Sequence, residues 1–215
     1  MIIETFPVGT FETKSTIIFS KSSKDAIIID PGAHPEPAEQ KIENLNLNVL
    51  SIIHTHAHLD HIGSSKYLKE KYKVPLSLHK KDLTLYKGLP AQALMMGMKP
   101  MLSAKIDHNF EDGDILSFND GEFKNFFKVI FTPGHTQGSV CFYNNTLFTP
   151  PLLISGDTLF QGSIGRTDLP GGNSELILKS IREKLFVLPD ETNVITGHGP
   201  NTTISFEKMN NPFFQ

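Results

Sequence analysis

The chain has 215 residues, of which 39% are hydrophobic and 20% are charged. This composition is that of a globular protein and excludes wholesale disorder. The net charge is −3, because 23 Asp and Glu residues outnumber 20 Lys and Arg residues, so no broad basic surface is expected and a nucleic-acid partner is disfavoured.

The N-terminal segment does not resemble a targeting signal. Residues 1–15 contain acidic residues early, no basic leading region and no long apolar run, and no later segment approaches 18 uncharged apolar residues. The single cysteine, Cys141, has no internal partner for a disulfide, which favours a reducing compartment. We therefore expect a cytoplasmic protein with no membrane partner.

The first half of the chain alternates short apolar runs with polar turns. Runs rich in β-branched residues predict buried strands at 15–19, 26–29 and 49–53, and the extended pattern resumes at 75–78. Residues 64–72 lack proline and contain several Lys and Glu residues, which predicts a half-exposed helix. A strand, a histidine-rich loop and a helix are therefore predicted in succession.

The second half continues the alternation. Strands are predicted at 129–131, 140–143 and 152–154. Asn173 or Ser174 is a candidate helix cap, and the apolar positions of the following helix are Ile177, Ile181, Leu185 and Leu188. No internal repeat or low-complexity linker divides the chain, so we predict one α/β domain over residues 1–215.

A methionine-rich segment, Leu83 to Met101, interrupts this alternation. Glycines and prolines break it, while four methionines lie close together. One interpretation is a loop that packs on the core, and the other is a flexible apolar lid over a pocket.

Histidines are concentrated directly after the third predicted strand. Four of the nine lie within one short stretch, His54 to His61, and such tracts commonly bind metal. Because alternate side chains of an extended chain share a face, His56, His58 and Asp60 are predicted to project together, with His61 following at the turn into the helix. Imidazole nitrogens and carboxylates are ligands that zinc accepts.

The remaining ligands have to come from distant positions. The sequence H-E-x-x-H is absent, which excludes a helical zinc site of the protease type. Three candidates follow strand-like runs in glycine-rich turns, where a sheet can present polar side chains to a shared cleft: His135, Asp157 and His198. Asp30, in an Asp-Pro-Gly turn, is either a turn residue or a hydrogen-bond partner of a ligand histidine.

Four motifs, taken in order, resemble the metal motifs of the metallo-β-lactamase fold hydrolases. They are THAHLDHIG (55–63), PGHTQGS (133–139), SGDTLF (155–160) and GHGP (197–200). The resemblance covers most of the chain. It implies an α/β protein with a four-layer αββα sandwich and with metals at one edge of the sheets.

The same resemblance implies a ligand set for two divalent metal ions, with zinc favoured and iron or manganese as alternatives. The ligands of the first ion would be His56, His58 and His135. Those of the second would be Asp60, His61 and His198. Asp157 would bridge the two ions.

Residues 156–172, GDTLFQGSIGRTDLPGG, are similar to the corresponding stretch of the short glyoxalase II-like hydrolases. The similarity implies hydrolysis of a small-molecule thioester, and S-lactoylglutathione, a glutathione conjugate, is the first candidate. A hydroxide shared by two metals would be the nucleophile, with Asp60 as the catalytic residue that orients it. Arg166 is predicted either to bind a substrate carboxylate or to form a structural salt bridge with Asp168.

Two other functions remain open. The iron persulfide dioxygenases resemble this family and share a G-R-T-D stretch, but they hold a single iron with two histidines and an aspartate. Residues 157–164, DTLFQGSI, favour the hydrolase. A metal-binding protein without catalysis is favoured only if the metal cleft is closed to substrate.

Cys141 is predicted to be a buried small hydrophobe and not a nucleophile. The sequence leaves the oligomeric state open.

Overall fold

The computed structural model describes residues 1–215 and contains two six-stranded β-sheets. The strands of the first sheet follow chain order: β1 (Ile2–Val8), β2 (Thr13–Phe19), β3 (Asp25–Ile29), β4 (Asn48–Ile53), β5 (Leu76–His79) and β6 (His108–Phe110). Strand β2 runs antiparallel to both of its neighbours, β1 and β3, and strands β3 to β6 run parallel to one another. In the centre of the sheet, Ile28 is paired with Ile17 on one side and with Ile52 on the other.

The second sheet is built from the C-terminal half in the order β14-β13-β10-β9-β8-β7. Its strands are β7 (Ile115–Leu116), β8 (Phe127–Phe131), β9 (Val140–Asn144), β10 (Leu152–Gly156), β13 (Asn193–Thr196) and β14 (Thr202–Thr203). Only β10 and β13 run parallel. A separate hairpin is formed by β11 (Leu159–Phe160) and β12 (Ser163–Ile164).

Seven α-helices accompany the sheets: α1 (Glu36–Leu45), α2 (Leu59–Ile62), α3 (Ser65–Tyr72), α4 (Leu83–Lys87), α5 (Leu89–Met95), α6 (Ser174–Ser180) and α7 (Ile204–Asn210). Short 3₁₀ turns span Lys80–Asp82 and Pro212–Phe214, and a π-helical turn, Ile181–Leu185, extends α6. The backbone N–H of Leu176 donates to the side chain of Asn173, which caps α6 as the sequence predicts. None of the helices has the length and apolar character needed to cross a bilayer.

The buried core divides into four clusters, of which three lie between the layers and the fourth joins α2, β5, α4 and α5. One buried cluster joins residues of both sheets, among them Ile27, Ile53, Val129 and Phe142. A second joins the outer face of the first sheet to α1 and α3, and a third joins the second sheet to α6 and α7. The layer order is αββα, as predicted. The folded chain exposes 9795 Å², close to the roughly 9,900 Å² that its mass predicts.

The methionine-rich segment differs from both predictions, because most of it is helical. Gly88 ends α4, and Pro90 occupies the first turn of α5, where a missing N–H costs nothing. Leu89 and Ala93 are buried in the core, as the packing interpretation expects. Met95, at the end of α5, is instead 84% exposed. The segment therefore packs on the core with one face and leaves methionines on the surface with the other.

Candidate metal centre

Ends of strands from both sheets meet at one edge of the sandwich. Asp30 directly follows β3, Asp157 directly follows β10, and His198 lies just beyond β13. The two sheets are tied together here, because the backbone N–H of Val140 donates to the carbonyl of Thr55 over 2.9 Å. The predicted ligand positions are therefore fixed by strands and not by free loops.

Two glycines allow these loops to approach each other closely. A Cβ atom at Gly197 would lie 2.1 Å from Asp157 Oδ1, and one at Gly165 would lie 1.8 Å from the Asp157 carbonyl oxygen. Both separations are far below van der Waals contact, so any side chain at either position would displace Asp157.

The first cluster consists of His56, His58 and His135, which are all buried. His58 Nδ1 lies 2.9 Å from His135 Nε2, and His135 Nε2 lies 3.2 Å from His56 Nε2. Three ring nitrogens from two separate loops therefore point at a common centre. These are the three residues predicted for the first ion.

The second cluster consists of Asp60, His61 and His198. His61 Nε2 lies 3.2 Å from His198 Nε2, which lies 3.3 Å from Asp60 Oδ2. The prediction that Asp60 projects together with His56 and His58 is wrong, because α2 begins at Leu59 and places Asp60 in its first turn. The helical turn groups Asp60 with His61 instead.

Asp157 lies between the two clusters. Its Oδ2 is 3.5 Å from His135 Nε2 of the first cluster and 3.5 Å from His198 Nε2 of the second. Its Oδ1 is 3.2 Å from His61 Nε2. The structure thus brings all seven predicted ligands together, with Asp157 in contact with both clusters.

The outer ring nitrogens of three of these histidines contact groups that can only accept a hydrogen bond. The acceptors are the Arg166 carbonyl for His135 Nδ1 at 2.7 Å, the Phe11 carbonyl for His198 Nδ1 at 2.9 Å and the Asp30 carboxylate for His61 Nδ1 at 3.0 Å. Each Nδ1 therefore carries a hydrogen, which leaves Nε2 of the neutral ring as the atom that can present a lone pair to the centre.

This arrangement fits divalent metal ions. The Nε2 atoms of His61 and His198 lie only 3.2 Å apart, a separation at which their lone pairs need a shared cation, either a proton or a metal ion. Asp157 Oδ1 is buried and has no hydrogen-bond partner, a costly state that a metal bond would relieve. Imidazole and carboxylate donors suit zinc, iron and manganese. The chemistry and the geometry of the donor set therefore both fit divalent metal binding.

Protonation differs between the two clusters. Burial and the neighbouring His135 lower the pKa of His58 to about 3, and burial likewise lowers the pKa of His56 and His135. The histidines of the first cluster are therefore neutral at neutral pH, the state that binds a metal. Burial alone would also lower the pKa of His198, but the carboxylates of Asp157 and Asp60 raise it to about 9. Metal binding at the second cluster therefore displaces a proton.

Asp30 supports the second cluster. Its carboxylate accepts hydrogen bonds from the Thr55 backbone N–H at 2.8 Å, from Thr55 Oγ1 at 2.6 Å and from His61 Nδ1. Asp30 also lies near His56 and His61 in a geometry that could hold a metal, but its oxygens are already occupied by these donors. Of the two interpretations of Asp30, a turn residue or a hydrogen-bond partner of a ligand histidine, the contacts favour the second.

Asp82 connects the loops of the first cluster and was not found by the sequence analysis. Its buried carboxylate accepts from the Ala57 N–H at 3.0 Å, the Gly138 N–H at 2.6 Å and Thr136 Oγ1 at 2.8 Å. Ala57 lies between two of the histidines, and Thr136 follows the third. No motif surrounds Asp82, so only the folded chain shows this connection.

Gln92 fixes the same loop from α5. Its Oε1 accepts from the Leu59 N–H at 3.0 Å, and its Nε2 donates to the carbonyls of Ala57 and Leu85 at 3.2 and 2.9 Å. The backbone on both sides of His58 is therefore held by one side chain of the methionine-rich segment, a role that the sequence analysis also missed.

His54 belongs to the histidine tract but not to the site. Its Nδ1 lies 2.9 Å from the Ser77 carbonyl and its Nε2 lies 2.7 Å from Ser65 Oγ. Both ring nitrogens are therefore occupied within the protein, so that His54 links β4 to β5 and α3.

An open cleft of about 500 Å³ contains five of the seven ligands in its lining. Since the cleft opens to solvent, the condition that would favour a non-catalytic protein is not met. Arg166 lines the cleft, but its guanidinium forms a bidentate pair with Asp168 at 2.8 and 2.7 Å. The structure thus shows the salt bridge, and substrate binding by Arg166 stays a prediction.

The chain is similar in sequence and in structure to known proteins. A family model described as the metallo-beta-lactamase superfamily matches residues 8–198. The hydroxyacylglutathione hydrolase GloC of Haemophilus influenzae is 39% identical over 215 residues, covering 99% of this chain and 98% of the relative.

Two solved structures are similar over almost their whole length. A structure described as the BLEG-1 B3 metallo-beta-lactamase superposes with a TM-score of 0.88 at 37% identity, covering 99% of both chains. TTHA1623 in a di-iron-bound form superposes with a TM-score of 0.86 at 34% identity, covering 98% of this chain and 99% of the other.

Proposed function

The chain belongs to the metallo-beta-lactamase superfamily and is a metal-dependent hydrolase, and we propose that it uses two metal ions to hydrolyse small-molecule thioesters. The observation that carries the proposal is the position of Asp157 between two clusters of ligands in an open cleft. The similarity to a hydroxyacylglutathione hydrolase supports S-lactoylglutathione as the first substrate to test.

When bound, the two ions would supply an activated water as nucleophile and an electrophilic contact for the carbonyl oxygen. In the reaction, a water oxygen forms a bond to the thioester carbon, the carbon–sulfur bond breaks, and a proton from the water ends on the thiol. We assign the orientation of the attacking water to Asp60. Thr13 Oγ1 donates to its carboxylate over 2.9 Å and so fixes its direction.

No side chain of the protein is needed as a nucleophile. The only cysteine, Cys141, is fully buried in β9, and burial raises the pKa of its thiol to about 11. The thiol is therefore protonated and out of reach of substrate. Cys141 is a small core residue, as predicted.

We propose zinc as the physiological ion, since the donors of both clusters are imidazoles and carboxylates. Iron and manganese accept the same donors, and one similar structure is described in a di-iron-bound form. We further propose that the protein acts in the cytoplasm on a free small molecule, without a nucleic-acid or membrane partner. Its net charge of −3 supports the exclusion of nucleic acid.

Thioester hydrolysis consumes water and no oxygen, so the rate of S-lactoylglutathione loss is expected to be the same in air and under nitrogen. The loss of thioester absorbance is followed in separate reactions with zinc-loaded and with iron-loaded protein. The thiol released is quantified in the same reactions and should equal the thioester lost. Oxygen uptake with glutathione persulfide, together with no thioesterase activity in either metal form, would overturn the proposal in favour of a persulfide dioxygenase.

A further inference from the structure

The mouth of the cleft is apolar beyond the ligand residues. Its lining includes Phe11, Leu85, Met95, Met96, Phe160 and Leu169. Of these, Met95 is 84% exposed, Phe11 is 51% exposed and Met96 is 43% exposed. Large apolar side chains that stay exposed around a concave site indicate a surface that an apolar ligand covers.

The cleft offers little to a charged ligand. Arg166 is the only Lys or Arg residue in the lining, and its guanidinium is already neutralised by Asp168. Asp60 and Asp157 belong to the proposed ligand set and offer no cation of their own. A ligand carboxylate beyond the metal centre would therefore have to displace Asp168 to find a side-chain cation in this lining.

Uncharged polar groups are also scarce. The lining contains Gln92 and Ser163, and both ends of the Gln92 amide are bound to the backbone of Ala57, Leu59 and Leu85. Peptide-like amides buried in this cleft would lose their hydrogen bonds to water without replacement. The polar thiol carrier of a thioester is therefore better placed in solvent, and the cleft is left to the acyl group.

We propose, on the basis of the thioesterase function above, that this cleft binds the acyl group of the substrate and selects an apolar acyl chain over a short hydroxyacyl group. Met95 and Met96 are the specificity-determining residues. Their unbranched, flexible side chains adapt to chains of different length, and their contact with the ligand removes apolar surface from water on both sides.

The test is a series of glutathione thioesters that differ only in the acyl group: acetyl, butyryl, hexanoyl and S-lactoyl. Full burial of a methylene corresponds to about fourfold in affinity, so in a half-open cleft kcat/KM should rise about threefold per methylene from acetyl to hexanoyl. Hexanoyl-glutathione should exceed S-lactoylglutathione by about tenfold or more. A flat or falling series, or a preference for the lactoyl thioester, would overturn the inference.

The double variant Met95→Ser, Met96→Ser should reduce the dependence of kcat/KM on chain length to less than about twofold per methylene, because the apolar contact is lost. Leu94→Ser is the matched control. Leu94 is a neighbour in α5 and is 72% exposed, but it does not line the cleft, so the variant should keep the wild-type dependence. An unchanged dependence in the double variant would contradict the assignment of the two methionines.

A binding measurement separates this inference from the proposed function. S-methyl- and S-hexylglutathione are thioethers that cannot be hydrolysed, and calorimetry gives their Kd on the metal-loaded protein. The two compounds differ by five methylenes, so at about threefold per methylene the hexyl compound should bind about two orders of magnitude more tightly. If no thioester is hydrolysed while the hexyl compound binds more tightly, the thioesterase proposal fails and the apolar ligand class stands. Equal Kd values would overturn the ligand class even if S-lactoylglutathione is a substrate.

Discussion

Replacement of Asp157 by alanine is expected to weaken metal binding at both clusters and to lower kcat/KM by about three orders of magnitude or more. Asp157 lies between the two clusters and contacts His135 on one side and His61 and His198 on the other. Without the carboxylate of Asp157, the ligands left would be five histidines and Asp60. Asp60 would then be the only negatively charged ligand to offset the charge of two divalent ions. The measurements are metal content after gel filtration and the rate of thioester hydrolysis.

The matched control is Asp190→Ala, which removes an exposed carboxylate that pairs with Lys208 away from the cleft. This variant should retain the metal content and rate of the wild type. If Asp157→Ala binds as much metal as Asp190→Ala, the assignment of Asp157 as a bridging ligand is wrong.

His61→Ala is expected to leave about one metal per chain and to lower kcat/KM by about two orders of magnitude. His61 is a predicted ligand of the second ion and not of the first, whose predicted ligands His56, His58, His135 and Asp157 all remain in the variant. The variant should therefore lose less metal than Asp157→Ala while it still loses the nucleophile that depends on both ions. Metal content and rate are measured together on the same sample.

His108→Ala controls for the loss of an imidazole, because His108 is exposed on β6 and does not line the cleft. It should behave as the wild type. A His61→Ala protein with one metal and a nearly normal thioesterase rate would show that the first cluster suffices, which would favour a mononuclear reaction.

The ligand set was predictable because its members lie in dense local patterns. Four histidines in one tract and three glycine-rich turns after strands mark positions that need no knowledge of the fold. Three of the strands that precede these positions were also predictable from short apolar runs, namely β4, β8 and β10, whereas β13, which precedes His198, was not predicted. Strands fix the direction of the loops that follow them, so predicting these strands also predicted where the ligands meet.

Other parts of the site depend on contacts between distant segments. Asp82 and Gln92 each act through backbone groups brought close only in the folded chain, and neither has a neighbour of the same type in sequence. Alternation along an extended chain predicted the wrong neighbours for Asp60, because a two-residue period does not continue once α2 begins at Leu59, whereas the family resemblance grouped Asp60 with His61 and His198 as observed. The surface position of Met95 likewise depends on which face of α5 meets the core.

The fold also contains elements that local patterns left unmarked. Helix α1 was not predicted, and it starts with prolines around Glu36, a residue type that is well tolerated in a first helical turn. The helix predicted from Asn173 onward is confirmed at Ile177 and Ile181, but its last part is a π-helical turn that ends at Leu185. Leu188 therefore lies beyond the helix, where periodicity alone would have kept it inside.

Metal titration of the apoprotein tests the central claim most directly. Protein freed of metal by a chelator is titrated with zinc, and the rate of thioester hydrolysis is followed against the metal bound per chain. The two clusters predict that the rate stays low through the first equivalent and rises to its maximum at about two equivalents. A maximal rate reached at one equivalent, with no second ion bound when zinc, manganese or iron is in excess, would contradict the two-metal site.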